Sequence, residues 1–384
     1  MRRLLPLLVL LAGCEWVANP MNFTREEVPR FKAQADHPAP VVNPTSLKVM
    51  AWNVKYGACR IDFWFDFWGD RVQMSSTEVT DCLTKVAALI REYDPDILMT
   101  EEIEVDSKRS AYIDMVSFLL ENTNLRYAAY MSTWDSRYVP SEGVGRMNLG
   151  NAIFSRYPIT KAESIRQVDR TDQDVVTGTF YIKRVIGRAE VDVGNGRTIA
   201  AYVVHTEAYD QDGTKQKHIQ QIHDVLRAET LPWVIGGDFN ELPPVCDERA
   251  AAGAPEACDG KLRLSSFLDE RESSKGTEFE QPPYTPSVMK PFYEDFEPFI
   301  PLARYGVGEA NQRPYFTHSM LGPDAVNDQG VPGFWNRTLD YLFIRKGETW
   351  TDTDVIQEPG RLGVQSNALR LSDHAPVAGT WRLP

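Results

Sequence analysis

The sequence predicts an α/β protein, and three observations support that class. The chain has 384 residues, of which 42% are apolar and 25% are charged, and this globular composition excludes a disordered, a collagenous and a polytopic membrane protein. Short apolar runs with strand character alternate along the chain with segments whose apolar residues have helical spacing. The length fits either two or three average domains or one large α/β sandwich with insertions.

The predicted elements begin at residue 47. A short apolar strand over residues 47–53 comes first, a helix over 77–93 follows, and Pro95 precedes a second strand over 96–100. Residues 185–193 and 198–205, joined around Asn195-Gly196, have the pattern of a β-hairpin. The other predicted elements are strands at 127–131, 151–155, 233–237, 339–344 and 377–381 and helices at 111–120 and 215–228.

The N-terminal segment has the features of an export signal. Arg2 and Arg3 precede an apolar run over residues 4–11, which is too short to span a bilayer but has the length of a signal-peptide core. The Leu-Ala-Gly-Cys sequence that ends at Cys14 resembles the lipobox of bacterial lipoproteins, in which the cysteine is lipid-modified and the chain is cut before it. We therefore expect a protein of the bacterial cell envelope, periplasmic or on the outer-membrane face, anchored in a membrane through Cys14. The alternative is an ordinary secretory signal with a coincidental cysteine.

We divide the chain into a signal peptide over residues 1–13, a lipid-anchor cysteine with a proline-rich tether over 14–45, and a folded domain over 46–384. The domain has predicted insertions near 59–82 and 241–333. The first insertion contains an aromatic cluster over 63–68, which could contact a membrane surface, stack on bases or pack against the adjacent helix. The second is rich in proline and acidic residues and lacks an obvious core, so it is expected to form a lid or a passive flap.

Export changes how the other cysteines are interpreted. Apart from Cys14, the chain has Cys59, Cys82, Cys246 and Cys258, an even number in an oxidising compartment, which predicts two disulfides. Three pairings are possible, and we favour Cys59–Cys82 with Cys246–Cys258 because each pair brackets a predicted insertion. A zinc site is the rival interpretation, but it has no CxxC sequence or nearby histidine to support it.

Polar side chains stand at the ends of the predicted apolar strands. Asn53 follows the first strand, Glu101 and Glu102 follow the second, and His205 ends the hairpin. The other residues of this kind are Asp238, Asn240, Asp340, Asp373 and His374. Each alone would be a cap, a turn residue or a structural histidine, but one sheet edge could gather them into a cleft. Such a set of carboxylates, amides and imidazoles suits a hard cation and acid–base chemistry on a phosphate.

An ordered series of separated motifs extends this observation across the domain. The motifs are Trp52-Asn53, Pro-Asp-Ile-Leu-Met-Thr-Glu-Glu over residues 95–102, Gly-Asn-Ala-Ile-Phe-Ser-Arg over 150–156, Val204-His205-Thr206, Gly237-Asp238-Phe239-Asn240, Asp340-Tyr341 and Ser372-Asp373-His374. The series resembles the endonuclease/exonuclease/phosphatase superfamily. The resemblance implies a four-layer α/β sandwich, with two mixed β-sheets packed face to face and helices outside, and a catalytic domain that hydrolyses phosphate esters with a divalent metal ion.

The resemblance also implies a metal site. Glu102 stands in the place of the family's metal-binding glutamate and would be the main ligand of Mg²⁺ (or Mn²⁺), assisted by Asn53 and Asp373. Carboxylate and amide oxygens are the ligands that a hard ion prefers. Glu101 is expected to support the site from outside the ligand set or to be solvated.

The implied catalytic residues surround that site. His374 would be the general base or the phosphate polariser, and Asp340 would hold its tautomer. Asp238 would position the attacking water or protonate the leaving group, while Asn240 and His205 would donate hydrogen bonds to phosphate oxygens. The remaining histidines are expected at the surface and are His37, His218, His223 and His318.

The substrate is left open at this stage. We expect a Mg²⁺-dependent phosphodiesterase, either a nuclease or a sphingomyelinase-like enzyme, that acts as a monomer on nucleic acid or phospholipid by means of activated water. The alternatives are a phosphomonoesterase for a sugar, inositol or lipid phosphate, and a non-catalytic binding module with the same fold. The chain has 54 Asp and Glu residues against 41 Lys and Arg residues, and this negative net charge argues against broad electrostatic adhesion to nucleic acid or anionic lipid.

Overall fold

The computed structural model of the protein describes residues 18–63, 69–139, 143–208, 212–244, 287–306, 309–319, 321–325, 335 and 337–384. These residues form the predicted four-layer α/β sandwich, in which two mixed sheets of seven strands each pack face to face.

The strands and helices have the following bounds. The strands are Arg25–Glu27 (β1), Arg30–Lys32 (β2), Ser46–Asn53 (β3), Ile97–Glu104 (β4), Tyr127–Val139 (β5), Gly145–Ser155 (β6), Ile159–Arg166 (β7), Val185–Gly194 (β8), Arg197–His205 (β9), Trp233–Asp238 (β10), Phe296–Pro298 (β11), Asp340–Arg345 (β12), Thr349–Val355 (β13) and Val377–Arg382 (β14). The α-helices are Ser76–Tyr93 (α1), Met115–Asn122 (α2), Val175–Phe180 (α3), Thr214–Ala228 (α4), Lys290–Asp295 (α5), Leu302–Tyr305 (α6) and Glu309–Gln312 (α7).

The topology brings several strand ends to one edge of each sheet. The first sheet has the order β13-β14-β3-β4-β6-β5-β2, and the second has the order β1-β7-β8-β9-β10-β12-β11. The parallel pair β3 and β4 ends with Asn53 opposite Glu101, and the parallel pair β9 and β10 ends with His205 opposite Asp238. Because β12 runs antiparallel to β10, it begins at the same edge, with Asp340 opposite Asp238.

A glycine on β10 lets the two sheets approach closely behind that edge. A Cβ atom on Gly236 would lie 2.6 Å from Leu342 and 2.8 Å from both Ala51 of β3 and Met99 of β4. No side chain fits in that space. The polar residues that end β3, β4 and β10 are therefore carried by strands in direct contact across the core.

Local signals explain where the predicted elements differ from the observed ones. Helix α1 begins after Ser75, which forms a capping box with Glu78, close to the predicted start. The helix predicted over 111–120 instead begins after Asp114, because Ala111 and Tyr112 have φ angles of 54° and 60°. Strands β7 and β13 were not predicted, since β7 buries polar side chains and β13 consists mainly of partly buried polar residues, so neither has a clear apolar pattern.

Segments outside the predicted core also pack on the sandwich. Part of the predicted tether forms β1 and β2, which pair with β7 and β5 at the edges of the two sheets. In the second insertion, residues 287–306 contribute buried Met289, Phe292 and Phe296 to the core, so this part is not a surface flap. The predicted Cys59–Cys82 disulfide is confirmed. Cys14, the aromatic residues 64–68 and the predicted Cys246–Cys258 pair lie outside the described residues. No helix among the described residues is long and apolar enough to cross a membrane.

Candidate active site

Polar residues from both sheets meet at the shared edge of the sandwich. The amide nitrogen of Asn53 lies 3.1 Å from Glu102 Oε1 and 3.4 Å from Asp238 Oδ2. Asp238 Oδ2 in turn lies 3.5 Å from His205 Nε2 and 3.6 Å from His374 Nε2. Asp238 of the second sheet thus contacts Asn53 of the first sheet and both histidines at this edge.

An irregularity in β4 presents two consecutive glutamates to the site. The register between β4 and β6 shifts between Thr100 and Ile103, and Glu102 has a φ of 54°, which non-glycine residues rarely adopt. In a regular strand Glu101 and Glu102 would point to opposite faces. Such an unfavourable backbone conformation is typical of functional positions, where the surrounding structure maintains it.

Glu101 is buried among acidic neighbours. Glu101 is fully shielded from solvent. Neither of its carboxylate oxygens has a hydrogen-bond partner in the part of the chain that the structure describes. Burial, together with the Asp340 and Asp238 carboxylates, raises the pKa of Glu101 well above its usual range. Of the two expectations for Glu101, the solvated side chain is therefore wrong, and a supporting position outside the ligand set stays a prediction.

The donor set on the first sheet suits a divalent cation. Burial and the nearby Asp373 carboxylate raise the pKa of Glu102, and the hydrogen bond from Asn53 lowers it in part. The carboxylate oxygens of Glu102, the amide of Asn53 and the unpartnered oxygens of Glu101 together offer the oxygen ligands and the negative charge that a hard ion requires. A second possible group consists of Asp238, Asp340 and His374, whose ligand atoms lie within 4.8 Å of one another.

His374 and Asp340 form a buried dyad. His374 Nδ1 lies 2.8 Å from Asp340 Oδ2, so the Nδ1–H group donates a hydrogen bond to the carboxylate, and Nε2 faces Asp238. Burial lowers the pKa of His374, but the Asp340 and Asp238 carboxylates raise it more, to about 10. Thr317 Oγ1 accepts a hydrogen bond from the backbone N–H of Asp340 and so fixes the start of β12.

Asn240 and His205 stand on the second-sheet side of Asp238. Asp238 Oδ1 accepts a 2.8 Å hydrogen bond from the backbone N–H of Asn240, which has a φ of 48°. The Asn240 amide donates to the carbonyl of Thr206, directly after His205. These contacts hold Asn240 next to Asp238 and next to the residue that follows His205.

Asp373 is paired with a lysine that sequence reasoning did not single out. Lys55 Nζ lies 3.8 Å from Asp373 Oδ2, and both groups are shielded from most solvent. Burial raises the pKa of Asp373. The positive charge of Lys55, and after it that of His374, has a larger opposite effect and holds the pKa of Asp373 well below its usual range. Ser372 donates to the carbonyl of Asn53 at 2.7 Å, which ties this loop to β3.

The prediction that the other histidines lie at the surface is wrong for three of them. His218, His223 and His318 are buried, whereas His37 is partly buried. The ring of His318 packs edge-on against that of His374, with 4.8 Å between the centroids. Lys55 could have been found from its place two residues after Asn53, but His318 lies within an insertion and carries no motif.

Comparison with known proteins agrees with this arrangement. The model of the endonuclease/exonuclease/phosphatase family matches residues 50–374. The chain belongs to that family. No curated protein matches the chain.

Several solved structures are similar to this chain at low sequence identity. An endonuclease/exonuclease/phosphatase from Beutenbergia cavernae is 14% identical, with a TM-score of 0.50, 88% of this chain and 72% of that chain covered. A mannosyl-6-phosphatase from Bacteroides thetaiotaomicron is 14% identical, with a TM-score of 0.45 and coverage of 87% and 98%. Truncated TDP2 from Caenorhabditis elegans is 15% identical, with a TM-score of 0.44 and coverage of 88% and 98%.

Proposed function

We propose that this family member is a divalent-metal-dependent hydrolase of phosphate esters. The observation that carries the proposal is the His374–Asp340 dyad, which lies beside Asn53, Glu102 and Asp238 at the edge where the two sheets meet. Family membership supports the same reaction class. When bound, Mg²⁺ or Mn²⁺ would supply Lewis-acid stabilisation of the charge on the phosphoryl oxygens.

The protonation states of the dyad assign roles to the catalytic side chains. With a pKa of about 10, the His374 imidazole keeps its Nε2 proton at neutral pH, so we infer that it donates a hydrogen bond to a phosphoryl oxygen. Asp238, which faces Nε2, is then the group that orients the attacking water and accepts its proton. His205 and Asn240 add further donors from the second sheet.

The substrate we propose is a phosphodiester, with nucleic acid and phospholipid as the two classes. A phosphomonoester of a sugar, an inositol or a lipid is the second candidate. The acidic chain supports a substrate that is gripped through the metal rather than through many basic side chains.

An activity panel tests this proposal. Purified protein is assayed with Mg²⁺, with Mn²⁺ and with excess chelator on plasmid DNA, RNA, sphingomyelin, phosphoinositides and a generic phosphomonoester, and His374→Ala serves as the matched control. We expect metal-dependent turnover of at least one diester that is lost with chelator and with the variant. Turnover that persists in chelator would refute the metal requirement, and metal binding without any turnover would indicate a binding module.

We also propose that the protein is exported and held at a membrane of the bacterial envelope through a lipid on Cys14. The charged start, the short apolar run and the Leu-Ala-Gly-Cys sequence support this proposal. Metabolic labelling with a fatty acid, followed by membrane fractionation, should label wild type and leave Cys14→Ser unlabelled. Equal labelling of both would exclude this anchor.

A further inference from the structure

Lys55 places a fixed positive charge inside the acidic centre. The residue is only 3% exposed, and its ammonium lies 3.8 Å from Asp373. Its backbone N–H donates to the side-chain oxygen of Asn53 at 3.1 Å. The position of Lys55 is therefore linked directly to a predicted metal ligand.

The loop that carries Lys55 is held at several points. Lys55 and Tyr56 have φ angles of 44° and 40°, and the Cys59–Cys82 disulfide joins the loop to helix α1. The Arg60 guanidinium donates to the carbonyl oxygens of Ser319 and Ser372, so it also joins the loop to the segment that contains Asp373. These constraints keep the ammonium beside Asp373 rather than in solvent.

The carboxylates of the site differ in how their charge is compensated. Asp340 is bonded to His374, and Asp373 is paired with Lys55. The two oxygens of Glu101 have no hydrogen-bond partner among the described residues. The carboxyl groups of the centre that lack a basic partner among the described residues therefore lie on the side formed by Glu101 and Glu102.

We propose that Lys55 is a built-in cation that occupies the Asp373 side of the centre, so that the chain binds one divalent ion, on the Asn53 and Glu102 side. The inference rests on the proposed function and deepens it, because it specifies the cation requirement of the same site. A divalent ion next to Asp373 would face the ammonium at close range, and this repulsion disfavours a second ion. In this arrangement Asp373 pairs with Lys55 and does not act as the metal ligand that the family resemblance implies.

Mn²⁺ binding to the full-length protein tests the inference without depending on turnover. Metal-free protein is titrated with Mn²⁺, and free Mn²⁺ is measured by electron paramagnetic resonance. Wild type should bind one Mn²⁺ per chain, and Lys55→Arg should match it. Lys55→Met should bind Mn²⁺ about tenfold more tightly, because a positive charge has been removed from a buried acidic group.

The double variant Lys55→Met/Asp373→Asn provides the matched control. It removes an opposite-charge pair and leaves the net charge of the centre unchanged, so we expect Mn²⁺ affinity within about threefold of wild type. If Asp373 is instead a ligand, the double variant will bind Mn²⁺ much more weakly than wild type. Two ions of similar affinity in wild type, or unchanged binding by folded Lys55→Met, would likewise overturn the inference. Thermal unfolding identifies any variant that fails to fold. If Lys55→Met fails to fold, Mn²⁺ binding by the double variant and by Lys55→Arg still tests the inference. Failure of every substrate in the hydrolysis panel would reject the proposed reaction but not this binding result.

Discussion

Two largely buried acidic clusters in the described part of the chain differ in how their carboxylates are paired. One is the catalytic centre at the sheet edge. The other, which we call the Arg188 cluster, comprises Arg188, Glu163, Glu190, Tyr202 and Glu229 and lines a cavity of about 1000 Å³ between the second sheet and helix α4.

In the Arg188 cluster one guanidinium forms ion pairs with three carboxylates. Arg188 lies 3.3 Å from Glu163, 2.7 Å from Glu190 and 2.7 Å from Glu229. Tyr202 donates a 2.6 Å hydrogen bond to the same Glu229 oxygen. In the catalytic centre, by contrast, buried oxygens of Glu101 and Asp340 have no hydrogen-bond partner among the described residues.

This difference in charge pairing indicates that the Arg188 cluster stabilises the fold, whereas the carboxylates of the catalytic centre are available for chemistry. A buried carboxylate with a guanidinium partner is costly to disturb, because removing the partner leaves a charge without compensation. A buried carboxylate without a partner destabilises the folded protein until a cation or a proton neutralises it. Substitutions should therefore change stability in one cluster and catalysis in the other.

The largest effect is expected for Glu102→Gln. Loss of the main proposed ligand should lower turnover by about 10³-fold or more and abolish tight Mn²⁺ binding. The variant should keep or slightly raise its melting temperature without metal, since a repelling carboxylate has been removed. Turnover and metal-free thermal unfolding measure both effects, and a large loss of stability would contradict the distinction between the clusters.

This contrast also shows what sequence reasoning can reach. The strand ends that carry Asn53, Glu102 and His205 were predictable because each follows a short apolar run or a specific motif. The bulge in β4 was not, because a one-residue irregularity leaves no signature in the apolar pattern. This bulge places both Glu101 and Glu102 at the site.

Charge pairing was the other feature that the sequence did not reveal. Lys55, Arg188 and His318 owe their roles to contacts with residues distant in the chain, such as the 3.8 Å approach of Lys55 to Asp373. Residue type and local spacing contain no information on such partners. Sequence reasoning therefore identified the acidic residues of the site better than the groups that neutralise or orient them.

The second largest effect is expected for Arg188→Met. Removing the shared guanidinium from buried Glu163 and Glu229 should lower the free energy of unfolding by about 3–5 kcal/mol. Turnover per folded molecule should stay within about twofold of wild type. Arg25→Met is the control, because the half-exposed Arg25 also pairs with Glu163 but should contribute less than about 1 kcal/mol. Chemical denaturation separates the two variants, and equal effects would show that burial of the pair is unimportant.

His374 in the catalytic centre and Glu229 in the Arg188 cluster should lose their stabilising effects at opposite ends of the pH range. The pKa of His374 is raised to about 10, above its unfolded value near 6.5, so its stabilisation is complete below pH 6.5 and is lost as pH rises toward 10. Burial raises the pKa of Glu229, but hydrogen bonds from Tyr202, Leu231 and Arg188 lower it more, so its stabilisation is lost as pH falls below its usual range. Between pH 6 and 10, metal-free wild type should lose on the order of 2 kcal/mol more stability than Asp340→Asn. Parallel losses in the two proteins would argue against the dyad as the cause.

The smallest effect is expected at His318, whose ring contacts that of His374 at the edge of the catalytic centre. Its backbone pairs with Arg337 and with His374, and its ring packs edge-on against the His374 ring. His318→Ala should remove the packing that orients His374 and lower kcat by about tenfold with little change in KM, because a small displacement of a catalytic group mainly affects the transition state. His318→Phe keeps an aromatic edge against His374 and should recover most of that loss. If His318→Phe is as impaired as His318→Ala while both variants remain folded, the polar atoms of the imidazole, and not its packing, support the catalytic histidine.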